Sequence, residues 1–404
     1  MRVKASFSSR SLIAALGFLV VLASSVGRAE SALPLAMDDG SAWRSAQSWN
    51  EDWEARYSRW IVEEFNEDFF IKGRWAGIST DCADAVYAAR IIFSYDNRLP
   101  FALSGSKERE AEWANSSKDF AGIKDPDSRV RAFIRRLNSR TWTGSLEKHT
   151  APIAITRDTV RPGTLWLKPG HVEVIKTVRE NGVLELQGSW LPAAVRQMIT
   201  ITSLGHAPLN MKTGFRRWLW PGESAPEPKP QTANYLLIGD PTAAKSESGI
   251  RTFEENVQLA LAQSGLRETK GSRVQRLAHD FCRMAHARAE VVRLGREFME
   301  SRAQDKTAQA CMIPRDYHLY STPSRDSNLR RVVWALGSEF SHNQIGFIRM
   351  LLSSCPVIEG EGFRIDASDF LVNLLRFNFS SDPHEPEAVR FGTEAPQSVC
   401  PMTY

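Results

Sequence analysis

Between Ile153 and Gln187 the chain breaks into four short runs rich in β-branched residues: Ile153-Ala-Ile-Thr156, Thr164-Leu-Trp-Leu167, His171-Val-Glu-Val-Ile-Lys-Thr-Val178 and Val183-Leu-Glu-Leu-Gln187. Arg161-Pro-Gly163, Lys168-Pro-Gly170 and Glu180-Asn-Gly182 punctuate them, and Asn-Gly is a strong two-residue hairpin signal. Parallel strands need a crossover of a dozen or more residues, which these turns cannot supply. The pattern therefore predicts an antiparallel meander. Helical periodicity on both sides of it makes the fold class α+β.

Upstream, residues 40–70 read as helix, because Trp49, Trp53, Tyr57, Trp60, Ile61, Glu64 and Phe65 recur at steps of three and four. Gly73 to Thr80 reads as a loop. A second helix runs from Cys82 to Phe93, with Ala85, Val86, Ala89, Ile92 and Phe93 on one face, and Asn97-Arg-Leu-Pro100 stops it. Residues 104–126 are polar and read as a surface insertion, and Val130–Leu137 as a short helix. Residues 205–250 are rich in Pro, Gly and Trp and read as an irregular excursion ending near a domain boundary. Helical patterns resume over 252–299, 328–352 and 366–377. The expected organisation is residues 1–29 as an export signal, 30–240 as the sheet-bearing domain and 241–404 as a mainly helical C-terminal region.

Three basic residues precede the apolar run Leu12–Ala23, and Gly27-Arg28-Ala29 offers a small-x-small cleavage site. Twelve apolar residues suit a signal peptide and are too few to span a bilayer. The expectation is an exported, periplasmic or secreted protein with no transmembrane segment. The formal charge of +4 comes from this leader, which holds four basic residues and no acidic one. The remainder is neutral, so a basic nucleic-acid-binding surface is not expected.

Export also places the five cysteines where disulfides form. Cys82 stands 200 residues before the next, while Cys282, Cys311, Cys355 and Cys400 cluster near the C-terminus. The economical reading is two C-terminal bridges and one free thiol at Cys82. Three pairings are open; loop closure alone favours Cys282–Cys311 with Cys355–Cys400. The cysteine spacings do not resemble zinc knuckles, and His279 and His286 read as surface or packing residues. No phosphate-binding loop, Gly-x-Gly-x-x-Gly or His-Glu-x-x-His is present, so neither metal nor cofactor is expected.

The chemistry-bearing pattern is a cysteine opening a helix, followed by a histidine opening a strand. A thiol nucleophile needs a base, and the base needs an orienting group. Cys82 follows Ser79-Thr80-Asp81, a run of N-cap residues, which puts it in the first helical turn, where the partial positive charge suits a thiolate. His171 follows the turn Pro169-Gly170. Glu185 shares a strand face with Gln187, which leaves two candidate orienters there. Asp81 and Asp84 read as cap and solvated charge, with substrate contact as the second reading. Trp190 reads as core or cleft lining. Tyr320-Ser-Thr-Pro-Ser-Arg-Asp326 reads as a helix cap before Leu329, with reach to the site as the alternative.

Thr80-Asp-Cys-Ala-Asp-Ala-Val-Tyr87 resembles the nucleophile helix of the NlpC-type cysteine peptidases. Arg161-Pro-Gly-Thr-Leu-Trp166 and Pro169-Gly-His-Val-Glu-Val-Ile175 resemble that family's turn–strand and histidine segments. The resemblance covers roughly residues 75–190. It implies a papain-like fold with Cys82 as nucleophile, His171 as general base and Gln187 as third member, acting on cell-wall (peptidoglycan) peptides or other amides; Asp81, Asp84 and Trp190 are the candidate substrate contacts from the residues themselves. Ala83-Asp84 replaces the family's Ser-Gly, Glu173 replaces a small residue, and the long stretch between Cys82 and His171 implies an insertion. The alternative is an inactive envelope or cell-wall-binding protein on the same scaffold.

Overall fold

The computed structural model describes residues 39–103, 113–204, 212–224, 245–246, 249–250, 253–304, 311–338, 345–360 and 363–400. The leader and residues 104–112 and 225–244 of the two stretches read as insertion and excursion lie outside the described residues.

Helix α1 (Glu51–Glu63) is shorter than the aromatic periodicity over 40–70 predicts, because the Asn50 side chain accepts from the Trp53 N–H and starts the helix there. The preceding tryptophans instead dock on the end of α2 (Cys82–Asp96), with Trp43 Nε1 donating to Leu99 O at 2.9 Å and Trp49 Nε1 to Pro100 O at 2.8 Å. Helices α3 (Pro126–Asn138) and α4 (Leu146–His149) complete the helices ahead of the sheet. Part of the stretch read as a surface insertion is pinned inward: buried Asn115 accepts from Phe101 N–H and donates to Trp43 O.

The strands are β1 (Thr150–Pro152), β2 (Leu165–Lys168), β3 (His171–Val178), β4 (Leu184–Gly188), β5 (Ile199–Ile201) and β6 (Gly214–Trp218). They form one antiparallel sheet in the order β1-β6-β2-β3-β4-β5. The meander of β2, β3 and β4 is present. Strand β6, however, comes from the stretch read as irregular and inserts between β1 and β2. The first run pairs three residues early, at 150–152, because it follows β6 rather than its sequence neighbour.

Two-residue strands β7 (Lys245–Ser246) and β8 (Gly249–Ile250) lead into α5 (Phe253–Leu261), α6 (Lys270–Ala303), α7 (Pro314–Tyr320) and α8 (Pro323–Ser338). The predicted helix over 252–299 is thus two helices, broken around Gly265 at φ +82°. After α9 (Ile345–Leu352), a hairpin of β9 (Pro356–Gly360) and β10 (Phe363–Asp366) precedes α10 (Ala367–Leu375) and α11 (Glu387–Arg390).

Strand alternation sends side chains into two cores. Leu165, Leu167, Val172 and Val174 pack with Val86, Ala89 and Phe93 of α2. Trp166, Ile175, Leu186 and Phe215 pack instead with Val257, Phe281 and Leu329 of the C-terminal helices. Residues of the sheet and of the helices after residue 253 share a core, so the expected boundary near 240 does not separate two cores.

The bridges are Cys282–Cys355 and Cys311–Cys400, with Cα separations of 6.2 and 5.6 Å, and Cys82 is free. The shortest-loop pairing is therefore corrected. Cys282 lies early in the 34-residue α6, and the remaining rod carries the chain about 30 Å away before Cys311 arrives. Loop-closure entropy assumes a flexible chain, which this is not. Among the described residues no helix is long and apolar enough to cross a membrane.

Arg90 is the one cation on α2, whose residues from Cys82 to Ser94 are all buried. It forms a bidentate pair with Glu54 of α1 and lies 3.4 Å from the Trp49 ring centroid. Burial pushes the Glu54 carboxyl up, but Arg90 and the Trp220 indole N–H outweigh it and hold it below its ordinary value. Arg90→Met strands a buried carboxylate and should cost about 3 kcal/mol in urea unfolding. Adding Glu54→Gln should cost less than the sum of the single changes, which a double-mutant cycle measures.

Candidate active site

Cys82 occupies the first position of α2. Asp81 caps the helix: its side chain accepts from Asp84 N–H at 2.9 Å, and Asp84 Oδ2 accepts from Asp81 N–H at 3.1 Å. This reciprocal box fixes the backbone that carries the thiol. Both aspartates therefore have structural work. Burial and the neighbouring Asp81 push the Asp84 carboxyl up to about 7, against the Asp81 N–H bond. The Cys82 N–H is among the amide donors that a helix leaves unpaired at its start. The thiol is 2% exposed, with Sγ 3.7 Å from Thr143 Oγ1.

His171 opens β3 after the tight turn at Pro169-Gly170, where Gly170 takes φ +70° and Lys168 pairs with His171 across the hairpin. Cys82 neighbours the imidazole closely enough to act on its charge. The ring's Nε2 stands 3.3 Å from Glu173 Oε1. Trp190 stacks on the ring, with centroids 5.2 Å apart and planes at 26°.

Glu173 is fully buried. Lys168 Nζ lies 2.7 Å from its Oε2 and Arg331 Nη1 of α8 lies 3.7 Å from its Oε1. These are ion pairs rather than aligned hydrogen bonds. Burial raises the Glu173 carboxyl, but Lys168, His171 and Arg331 together hold it well below the usual carboxylate range. Burial alone lowers His171, yet the Glu173 charge and the bonds from Cys82 and Glu173 leave it above its ordinary value. Burial leaves Lys168 below its ordinary value, although Glu173 opposes the shift.

The candidate orienters on β4 lie elsewhere. The register sets Gln187 opposite Val174, and its Nε2 points to Met198 Sδ at 3.7 Å. Glu185 pairs with Arg179 at 2.6 Å. Glu173, two residues after His171 on the same strand face, stands against the imidazole in their place. Its sequence signal was the His-x-Glu alternation. Arg331 and Thr143 carry no local signal, since each arrives from a distant segment. Helix α8 begins inside the Tyr320–Asp326 segment, and Ser324 Oγ donates to Leu191 O at 3.2 Å.

A cysteine, a histidine and a buried carboxylate arranged this way can pass a proton from sulfur to nitrogen and hold the resulting imidazolium. No family model matches the chain, and no curated protein or solved structure matches it.

His171 should titrate above 6.5 by NMR in the native protein. Glu173→Gln should move it below that value, since burial remains and the charge is gone. A raised histidine binds its proton more tightly in the native state, so the pair stabilises the fold fully below the unfolded pKa. That contribution should fade as pH rises through the native value, so the stability gap between wild type and Glu173→Gln should narrow above it.

Proposed function

We propose that the protein is an exported cysteine hydrolase cleaving peptide or amide bonds, with the peptides of the bacterial cell wall as substrate. The observation that carries this reading is the free thiol at the start of α2, beside a histidine backed by a buried carboxylate. His171 takes the thiol proton and the thiolate attacks the amide carbonyl. The Cys82 N–H faces the developing oxyanion. His171 then protonates the leaving amine, and water, deprotonated by the same ring, resolves the thioester. Glu173 holds the ring and its charge through both halves, and Lys168 and Arg331 keep Glu173 ionised.

The papain-like, NlpC-type architecture belongs to the same proposal. Its support is a Cys-bearing helix packed against an antiparallel sheet whose next chemical residue is His171. Two disulfides and the N-terminal apolar run support export. The second reading, a cell-wall-binding protein without turnover, draws on the near-complete burial of Cys82.

Purified protein incubated with peptidoglycan fragments should release new free amines, followed by mass spectrometry. Cys82→Ala should abolish release with the fold intact, and His171→Ala should reduce it at least about a hundredfold. Fragments that bind but yield no product would sink the hydrolase reading and favour the binding protein.

A further inference from the structure

Loop 189–198 runs between the nucleophile helix and α8. Thr80 and Ala194 exchange backbone hydrogen bonds at 3.1 and 3.3 Å, and Ser189 Oγ donates to Thr80 O at 2.9 Å, which ties the loop to the residues just before Cys82. On its other side Arg325 Nη2 donates to Gln197 O at 3.3 Å. The loop carries Arg196, whose Nη2 donates to Pro192 O. Arg325, Asn328 and Arg331 follow one another at three-residue steps on α8 and so share a face.

These side chains hold more donors than the protein uses. Arg196 Nε, Arg325 Nη1 and Asn328 Nδ2 are buried with no hydrogen-bond partner among the described residues. Arg325 is 6% exposed and Asn328 1%. A buried donor without a partner is costly, so three together are a standing penalty unless a ligand meets them. The nearby carboxylates are committed elsewhere. Glu173 faces Lys168, His171 and Arg331; Asp81 caps α2; Glu67 Oε1 accepts from Thr200 N–H and Arg283; and Asp326 pairs with Arg288. Burial and mutual repulsion lower Arg196 to about 10, and burial lowers Arg325 to about 10, as expected of guanidinium groups short of an anion.

We propose that Arg196, Arg325 and Asn328 form an anion subsite beside Cys82 that receives an oxyanionic group, carboxylate or phosphate, of the substrate. The inference rests on the hydrolase reading for its consequence: the peptide cleaved carries a free acidic group near the scissile amide. Guanidinium forks suit such groups because they present paired N–H donors in fixed geometry.

The test uses two alkylating probes of nearly equal size, anionic iodoacetate and neutral iodoacetamide. The ratio of their rates at Cys82 should be about tenfold higher in the native protein than in the urea-unfolded chain, the scale of one charge-assisted hydrogen bond. In Arg196→Gln and Asn328→Ala the ratio should fall most of the way to the unfolded value. A general loss of thiol reactivity slows both reagents and leaves the ratio unmoved, so a ratio indifferent to both variants overturns the subsite. A native thiol inert to both reagents would strike the hydrolase reading instead. The subsite is then judged by melting: at constant ionic strength, sodium succinate or phosphate should raise the wild-type Tm over chloride and leave Arg196→Gln unshifted. A response to succinate alone assigns carboxylate, and to phosphate alone assigns phosphate. No response to either overturns the proposal.

Discussion

A carboxylate with no contact to water has to be met by cations, and Glu173 is such a group. Left alone at that depth it would cost several kcal/mol or take up a proton. Its partners come from three places: Lys168 ends β2, His171 opens β3, and Arg331 lies on α8 more than 150 residues later. Satisfying one charge therefore closes the β2–β3 hairpin, aims the imidazole, and fixes the C-terminal helix against the sheet. The same demand ties fold to chemistry, because the histidine that meets Glu173 is the one beside the free thiol.

What could be read in the sequence follows the range of the interactions. The α2 helix and the β2–β3–β4 meander are written in local periodicity and turn residues, and the structure holds both. Strand β6 has only five residues and a partner order set by β1 and β2, so its surroundings of Pro and Gly concealed it. The disulfide pairing likewise depends on where a rigid 34-residue helix delivers its ends, a distance that sequence separation does not measure.

The site divides the same way. Cys82 and His171 each stand at the start of an element, where caps and turns announce position, and the fold makes them neighbours. The sequence points to Gln187, with Glu185 as the alternative, as the histidine's orienting partner on the following strand. There Gln187 faces Met198 and Glu185 faces Arg179, because the pairing register and a bulge between Ile175 and Thr177 decide which β4 side chains meet β3. Alternation within β3 itself needed no register: residues two apart on a strand share a face, and Glu173 is two from His171.

The C-terminal region then has a role beyond bracing. Trp166 and Phe215 point away from α2 into a core completed by α5, α6 and α8, so the sheet has no exposed apolar face only because those helices cover it. Helix α8 reaches the site from that layer, bringing Arg331 to Glu173 and Arg325 to the loop that follows Trp190. One face of the sheet carries the helix that bears Cys82 and the other the helix that brings Arg331 to Glu173. The geometry of the candidate site is thus a property of three stacked layers. Any change that loosens the C-terminal helices should be felt at the imidazole, through the loss of a cation beside Glu173, before it is felt at the thiol, whose helix packs on the opposite face.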